Sequence, residues 1–188
     1  HTGQHTDLTE QLTDFFNIKV DHNLNVMQPG LSLDRLHAKI MQRTADAIDE
    51  IRPDFILAQG DTLSVLCLAE SAFFRKIPFI HLEAGLRTYD LTQPFPEEMH
   101  RQVVSRLTTI HLCSTQKALE NLQQEHINVK HAHVVGNTVI DALLHTVDTV
   151  KDNPDSVFSG KANRILATIH RRENHGDNLD DILEALAK

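Results

Sequence analysis

Residues 54–62 read Asp54-Phe55-Ile56-Leu57-Ala58-Gln59-Gly60-Asp61-Thr62, a short apolar run followed by a glycine, an acid and a hydroxyl. The run comes just after Arg52-Pro53, where a helix is expected to end. It is continuous rather than alternating, as a strand buried on both faces should be. The pattern recurs in Pro78-Phe79-Ile80-His81-Leu82, Thr109-Ile110-His111-Leu112-Cys113, His131-Ala132-His133-Val134-Val135 and Arg164-Ile165-Leu166-Ala167-Thr168-Ile169. Segments of helical period separate these runs. From Leu33 the positions Leu36, Ile40, Ala47, Ile48 and Ile51 keep one apolar face, with Ser32 as expected N-cap. Thr62 to Phe74 is apolar almost all round and should be well buried. Ser114 is placed to cap a helix carrying Ala118, Leu119 and Leu122. Thr138 and Asp141 have capping-box spacing before Leu143 and Leu144. Leu179, Ile182, Leu183 and Leu186 form a closing amphipathic helix. Strand and helix in alternation imply right-handed crossovers and a doubly wound parallel sheet, an α/β fold.

The stretch 151–161 contains Asn153-Pro154-Asp155 and Ser159-Gly160 and reads as an interdomain linker. Residues 1–150 then form one domain, and residues 162–188 begin a second. One strand and one helix after the linker cannot bury both their faces. The chain also opens on His1-Thr2-Gly3-Gln4-His5, which looks like a strand-end loop with no strand before it. Both observations suggest further sequence at either end.

With 188 residues, 40% hydrophobic and 23% charged, the composition is that of an ordinary globular protein. No apolar run approaches the ~20 residues of a membrane span, and residues 1–20 are no signal peptide. The expected location is the cytoplasm. A formal net charge of −8 disfavours nucleic acid and anionic membranes as partners. Cys67 and Cys113 lie in apolar stretches and read as buried free thiols. The 13 histidines show no metal-ligand spacing, so no metal and no cofactor are expected.

Ligands of open parallel sheets bind beyond the strands' C-terminal ends. Gln59-Gly60-Asp61-Thr62 follows the first run, Glu83-Ala84-Gly85-Leu86-Arg87 the second and His170-Arg171-Arg172-Glu173-Asn174 the fifth. Gly60 and Gly85 permit sharp exits from a strand. Gly60-Asp61-Thr62 is weak evidence alone, because turn and cap chemistry explains such tripeptides. Glu83 either pairs with Arg87 or works on a substrate. Pro96-Glu97-Glu98 suits the first turn of a helix. His170-Arg171-Arg172 is either a solvated charge run or a diphosphate clamp with forked donors. Several carboxylates and one basic cluster at strand ends describe an acid/base site for an anionic substrate.

These blocks, with Thr2-Gly3-Gln4-His5 and Gly136-Asn137-Thr138-Val139-Ile140-Asp141, resemble the signatures of UDP-N-acetylglucosamine 2-epimerases in order and approximate spacing. The resemblance is to the non-hydrolysing bacterial type and runs to about residue 175. It implies two Rossmann-like domains of the glycosyltransferase-B type, with the first dominating here. It also implies a homodimer. The family's first strand would lie before His1 and most of its second domain after Lys188. The implied reaction interconverts UDP-N-acetylglucosamine and UDP-N-acetylmannosamine through elimination and re-addition of UDP, feeding cell-surface polysaccharide synthesis. By resemblance Asp61, Glu83, Glu97 and His170 are catalytic. Gln4, His5, Arg171 and Glu173 bind the UDP-sugar or, for Gln4 and His5, a second UDP-N-acetylglucosamine that activates the enzyme. The alternatives are a hydrolysing relative that releases UDP and free N-acetylmannosamine, and a sugar-nucleotide-binding fragment without catalysis.

Overall fold

The computed structural model describes residues 1–3, 6–28, 30–150, 167–169 and 177–187. The chain divides into two compact units, His1–Ala142 and Leu143–Lys188. The first holds a parallel four-stranded sheet in the order β1-β2-β3-β4, with β1 Ile56–Gln59, β2 Phe79–Ala84, β3 Ile110–Cys113 and β4 Ala132–Val134. The crossovers are α3 (Leu63–Arg75), α4 (Glu97–Leu107) and α5 (Gln116–Gln124). Two helices precede the sheet, α1 (Thr6–Phe15) and α2 (Leu33–Ile51). The alternation of apolar runs and helical segments therefore gave the α/β class and the parallel sheet, while the order of the strands within the sheet comes from the structure. α1, short and polar apart from Leu8, Leu12 and Phe15, was not among the expected helices.

Local rules explain the boundaries. In α2, Ile40, Thr44 and Ile48 are buried at a spacing of four, one stripe of the helix. The helix stops at Arg52, which turns left-handed (φ 50°) and donates its N–H to Ile48 O, and Pro53 then prevents continuation. Lys76 ends α3 in the same way (φ 58°). α5 is capped one residue later than expected: Thr115, not Ser114, accepts the Ala118 N–H at 3.1 Å. Asn137, not Thr138, takes the Val139 N–H at 3.1 Å at the start of α6 (Thr138–Val150). Thr138 is already inside that helix, so the expected capping box does not form.

The main core joins Ile48 of α2, Ile56 and Ala58 of β1, Val65, Leu66, Ala69 and Ala72 of α3, Phe79 of β2 and Val104 of α4. A second cluster seats α5, through Ala118 and Leu122, on Ala84 and Cys113. A third packs Val26 against Ile40 and Cys67. β1 alternates rather than being buried throughout: Ile56 and Ala58 face this core, whereas Leu57 is 57% exposed. The expected burial of α3 holds through Ala72 but not at its end, where Phe73 and Phe74 are 59% and 69% exposed.

In the second unit, α7 spans Asp177–Ala187, the closing amphipathic helix anticipated from its leucine spacing. Of the fifth apolar run only residues 167–169 are described, without strand structure. The expected linker at 151–161 lies outside the described residues. No described helix is long and apolar enough to cross a membrane.

Candidate active site

β1 ends on Gln59, and Gly60 (φ 84°) turns the chain into Asp61 and Thr62, the N-cap of α3. Two histidines hold this turn. His81 Nε2–H donates to Gly60 O at 2.7 Å, and His100 Nδ1–H donates to Asp61 O at 2.7 Å. The Asp61 carboxylate does not cap α3. It receives Arg101 Nε at 2.8 Å and Nη2 at 2.7 Å, both on Oδ2.

One residue beyond the level of Gly60, β2 carries a bulge between Leu82 and Ala84. The extra residue is Glu83, in the left-handed region (φ 68°), an uncommon and costly setting for a side chain longer than Asn. Its carboxylate lies over the turn: Oε2 is 3.8 Å from where a Cβ on Gly60 would be. Gln59 Nε2 donates to Glu83 Oε2 at 3.5 Å, a long bond. Glu83 does not pair with Arg87. That guanidinium, with 0% of its side chain exposed, is bound to Glu125 at 2.6 Å and donates to Ser105 Oγ at 2.8 Å. The ion-pair explanation of Glu83 therefore fails, and a strained, half-buried carboxylate remains at the strand end. Strain of this kind persists where the surroundings impose it, and it clusters at functional sites.

α4 supplies the third side of the site. Pro96 is its N-cap and Glu97 its first residue, one position later than the expected proline start. Glu97 is half-buried. Its neighbour Glu98 is fully buried and accepts four donors: Thr88 N (3.0 Å), Tyr89 N (3.2 Å), Gln102 Nε2 (2.9 Å) and Arg101 Nη1 (3.3 Å). Burial works to raise the Glu98 carboxyl, but bonds from Gln102, Thr88, Tyr89 and Arg101 outweigh it and hold it below its ordinary value. The two adjacent glutamates thus divide: Glu98 ties the loop after β2 to α4, and Glu97 carries no such structural load.

The structure thus sets Glu83 over the turn that carries Asp61, and α4, which begins at Glu97, is tied to that turn through His100 and Arg101. Thr2 reaches the same end of α3, accepting Ser64 Oγ at 3.1 Å. Gln4, His5, His170, Arg171 and Glu173 lie outside the described residues. Sequence reading missed His81, Glu98, His100 and Arg101 as site builders. Glu98, Arg101 and Gln102 have the i, i+3 and i, i+4 spacing of a helical network, which was a readable signal. The cavity of about 390 Å³ lined by Ile48, Asp49, Arg52, Pro53, Arg75 and Ile77 lies at the opposite end of the strands and carries none of this chemistry.

One other polar cluster joins α2 to α3. His37 Nε2–H donates to Glu70 at 2.7 Å beside Cys67. Burial pushes the Cys67 thiol up to about 12, which keeps it protonated and a poor nucleophile. Cys113 is likewise buried and free, its thiol raised by burial.

Residues 1–188 match the family described as UDP-N-acetylglucosamine 2-epimerase. The UDP-N-acetylglucosamine 2-epimerase of Neisseria meningitidis is 38% identical over 189 residues, covering 96% of this chain and 51% of that protein. That of Escherichia coli K12 is 37% identical over 195 residues, covering 99% and 52%. The Neisseria enzyme's crystal structure bound to UDP-GlcNAc superposes with a TM-score of 0.91 at 37% identity, covering 99% of this chain and 53% of that one. The Methanocaldococcus jannaschii enzyme in complex with UDP-GlcNAc and UDP gives 0.76 at 30% identity, covering 81% and 42%. These neighbours share the glycosyltransferase-B type architecture. The chain spans about half the length of the curated relatives it matches. With its whole length matched and its strand-end acids in place, the chain belongs to the UDP-N-acetylglucosamine 2-epimerase family.

Proposed function

We propose that the protein carrying this chain interconverts UDP-N-acetylglucosamine and UDP-N-acetylmannosamine. The observation that carries the reading is Glu83, left-handed in a strand bulge, free of Arg87 and facing the Asp61 turn. A binder of an anionic sugar nucleotide gains nothing from acids held at strand ends, whereas proton transfer requires them. The C2 proton of the sugar is not acidic enough for direct removal. Elimination avoids that barrier: the C1–O bond breaks, UDP leaves with the electron pair, and the C2 proton passes to a carboxylate, giving a 2-acetamidoglucal. UDP then adds back at C1 as a proton returns to the other face of C2. Asp61, Glu83 and Glu97 transfer the proton and support positive character at C1. His170 and Arg171 receive the departing diphosphate. Glu173, Gln4 and His5 contact the substrate, and Gln4 and His5 also serve a second UDP-N-acetylglucosamine as activator. The enzyme works as a cytoplasmic homodimer, without metal or cofactor, and supplies cell-surface polysaccharide synthesis. The domain division is 1–150, a linker at 151–161, and 162–188 opening the nucleotide-holding domain.

Incubation with UDP-N-acetylglucosamine in deuterated water tests this. The expected product is UDP-N-acetylmannosamine with deuterium at C2. Retention of the original hydrogen contradicts elimination, and free N-acetylmannosamine identifies the hydrolysing reaction instead.

A further inference from the structure

Asp61 is held by α4 twice, once through its carboxylate and once through its backbone. Arg101 takes the carboxylate at 2.7 Å, and His100, the preceding residue of the same helix, takes the Asp61 carbonyl at 2.7 Å. His100 is 2% exposed. From the sheet side His81, 1% exposed, takes the neighbouring Gly60 carbonyl, also at 2.7 Å. Two successive peptide planes are therefore pinned by donors from two different elements. The pin falls at Gly60, whose left-handed backbone (φ 84°) is where rotation of these planes is easiest. A helical first turn that grips only the carboxylate would leave the backbone free to swing beneath it. With both gripped, Asp61 has one position relative to Glu83, whose Oε2 lies over Gly60.

We propose that His100, backed by His81, is a positioning residue of this site, which fixes the Asp61 carboxylate against Glu83 by anchoring the backbone turn. His100 does not itself reach the reacting atoms, because its Nδ1–H is committed to a carbonyl and its ring is buried. The effect on turnover rests on the epimerase reading above; the anchoring of the turn does not. Effective catalysis tolerates little misplacement, and a shift of about 1 Å costs on the order of 100-fold.

The test uses a shape-matched pair in the full-length protein. His100→Asn keeps an N–H at the position of Nδ1. His100→Leu has the outline of Asn without the donor. With UDP-N-acetylglucosamine as substrate, the Leu variant is expected to lose about 10- to 100-fold in kcat with KM changed less than about threefold, and Asn to recover to within about threefold of the parent rate. Independently of activity, the Asp61 carbonyl ¹³C and Thr62 amide ¹⁵N resonances should move in the Leu variant and return in the Asn variant. Equal kcat in Leu and Asn, with both folded, overturns the proposal, because a purely structural histidine would behave so. Unmoved resonances overturn it as well. If the parent protein shows no turnover, the epimerase reading fails by itself, and the resonances alone decide the anchoring. If the Leu variant does not fold, His100→Gln supplies the contrast, since its amide lies one bond too far out to meet the Asp61 carbonyl.

Discussion

Gly85 follows β2 with φ 86°, and its carbonyl receives Asn121 Nδ2 at 2.9 Å. A Cβ there would drive into the backbone carbonyl of Ala118, in the first turn of α5. Backbone cannot rotate away as a side chain does, so Gly85→Ala must push α5 off the sheet or distort the strand end. Gly60 is the natural control. It also follows a strand with nearly the same φ, 84°, but a Cβ there meets only the Glu83 carboxylate at 3.8 Å, an ordinary contact. Left-handed backbone costs an L-residue about 1–2 kcal/mol, and overpacking a core adds about 1–3 kcal/mol. Gly60→Ala should therefore lose ~1–2 kcal/mol of stability and Gly85→Ala ~2–5 kcal/mol, against a typical total of about 5–15 kcal/mol. Urea denaturation followed by circular dichroism measures both, with equal m-values confirming a common unfolded state. Equal losses in the two variants would refute the reasoning, because the backbone angle they share would then be the whole effect. The Gly85 change should also reduce turnover, since Glu83 lies two residues upstream in the bulge that must move.

Adjacent glutamates should separate cleanly: Glu98→Gln costs about 2–4 kcal/mol by disturbing four buried bonds, while Glu97→Gln leaves the melting temperature nearly unchanged and cuts turnover by orders of magnitude. Thermal melts and initial rates on the same samples check this, and a near-normal rate for Glu97→Gln would remove it from the catalytic set. Acid should destabilise the protein through His111, which burial pushes down to about 4, with His81 and Arg87 adding to the effect. The folded form binds this proton less readily than the unfolded form, so its contribution is complete above pH 6.5 and is lost as pH falls toward 4. The loss is about 2 kcal/mol between pH 7 and pH 5; His111→Leu should flatten urea-derived stability over that range, and an unchanged slope would contradict the assignment. Arg87→Met should cost roughly 3–5 kcal/mol by leaving Glu125 without its buried partner, and Glu125→Gln in the same background should recover part of it in a double-mutant cycle.

Much of the fold was legible because its cues are local. Apolar runs of four to six residues, the helical stripe of Ile40 and Ile48, and Arg52-Pro53 each act within a few residues, and all three lead to the observed elements. The caps were less legible. Thr115 and Asn137 take the capping bonds where Ser114 and Thr138 were expected to cap, because the path by which the chain enters the helix decides which side-chain oxygen faces its first N–H groups. α1 carries Leu8, Leu12 and Phe15 at helical spacing, but it is only 10 residues long and otherwise polar, and this short stripe was not read as a helix.

By itself the sequence determined the class of fold and which residues follow its strands. Asp61 comes just after β1, Glu83 near the end of β2 and Glu97 at the start of α4, as the apolar runs and Pro96 led one to expect. Only the tertiary structure decided which of these acids are occupied. Glu83 lost its apparent partner because Arg87 turns instead to Glu125, 38 residues away. Asp61 acquired Arg101 from 40 residues away, and its backbone acquired His100. The physical reason is one of range. Strand and helix preference is set by neighbours along the chain, whereas an ion pair or a carbonyl's donor is chosen among groups that meet only after the sheet has closed.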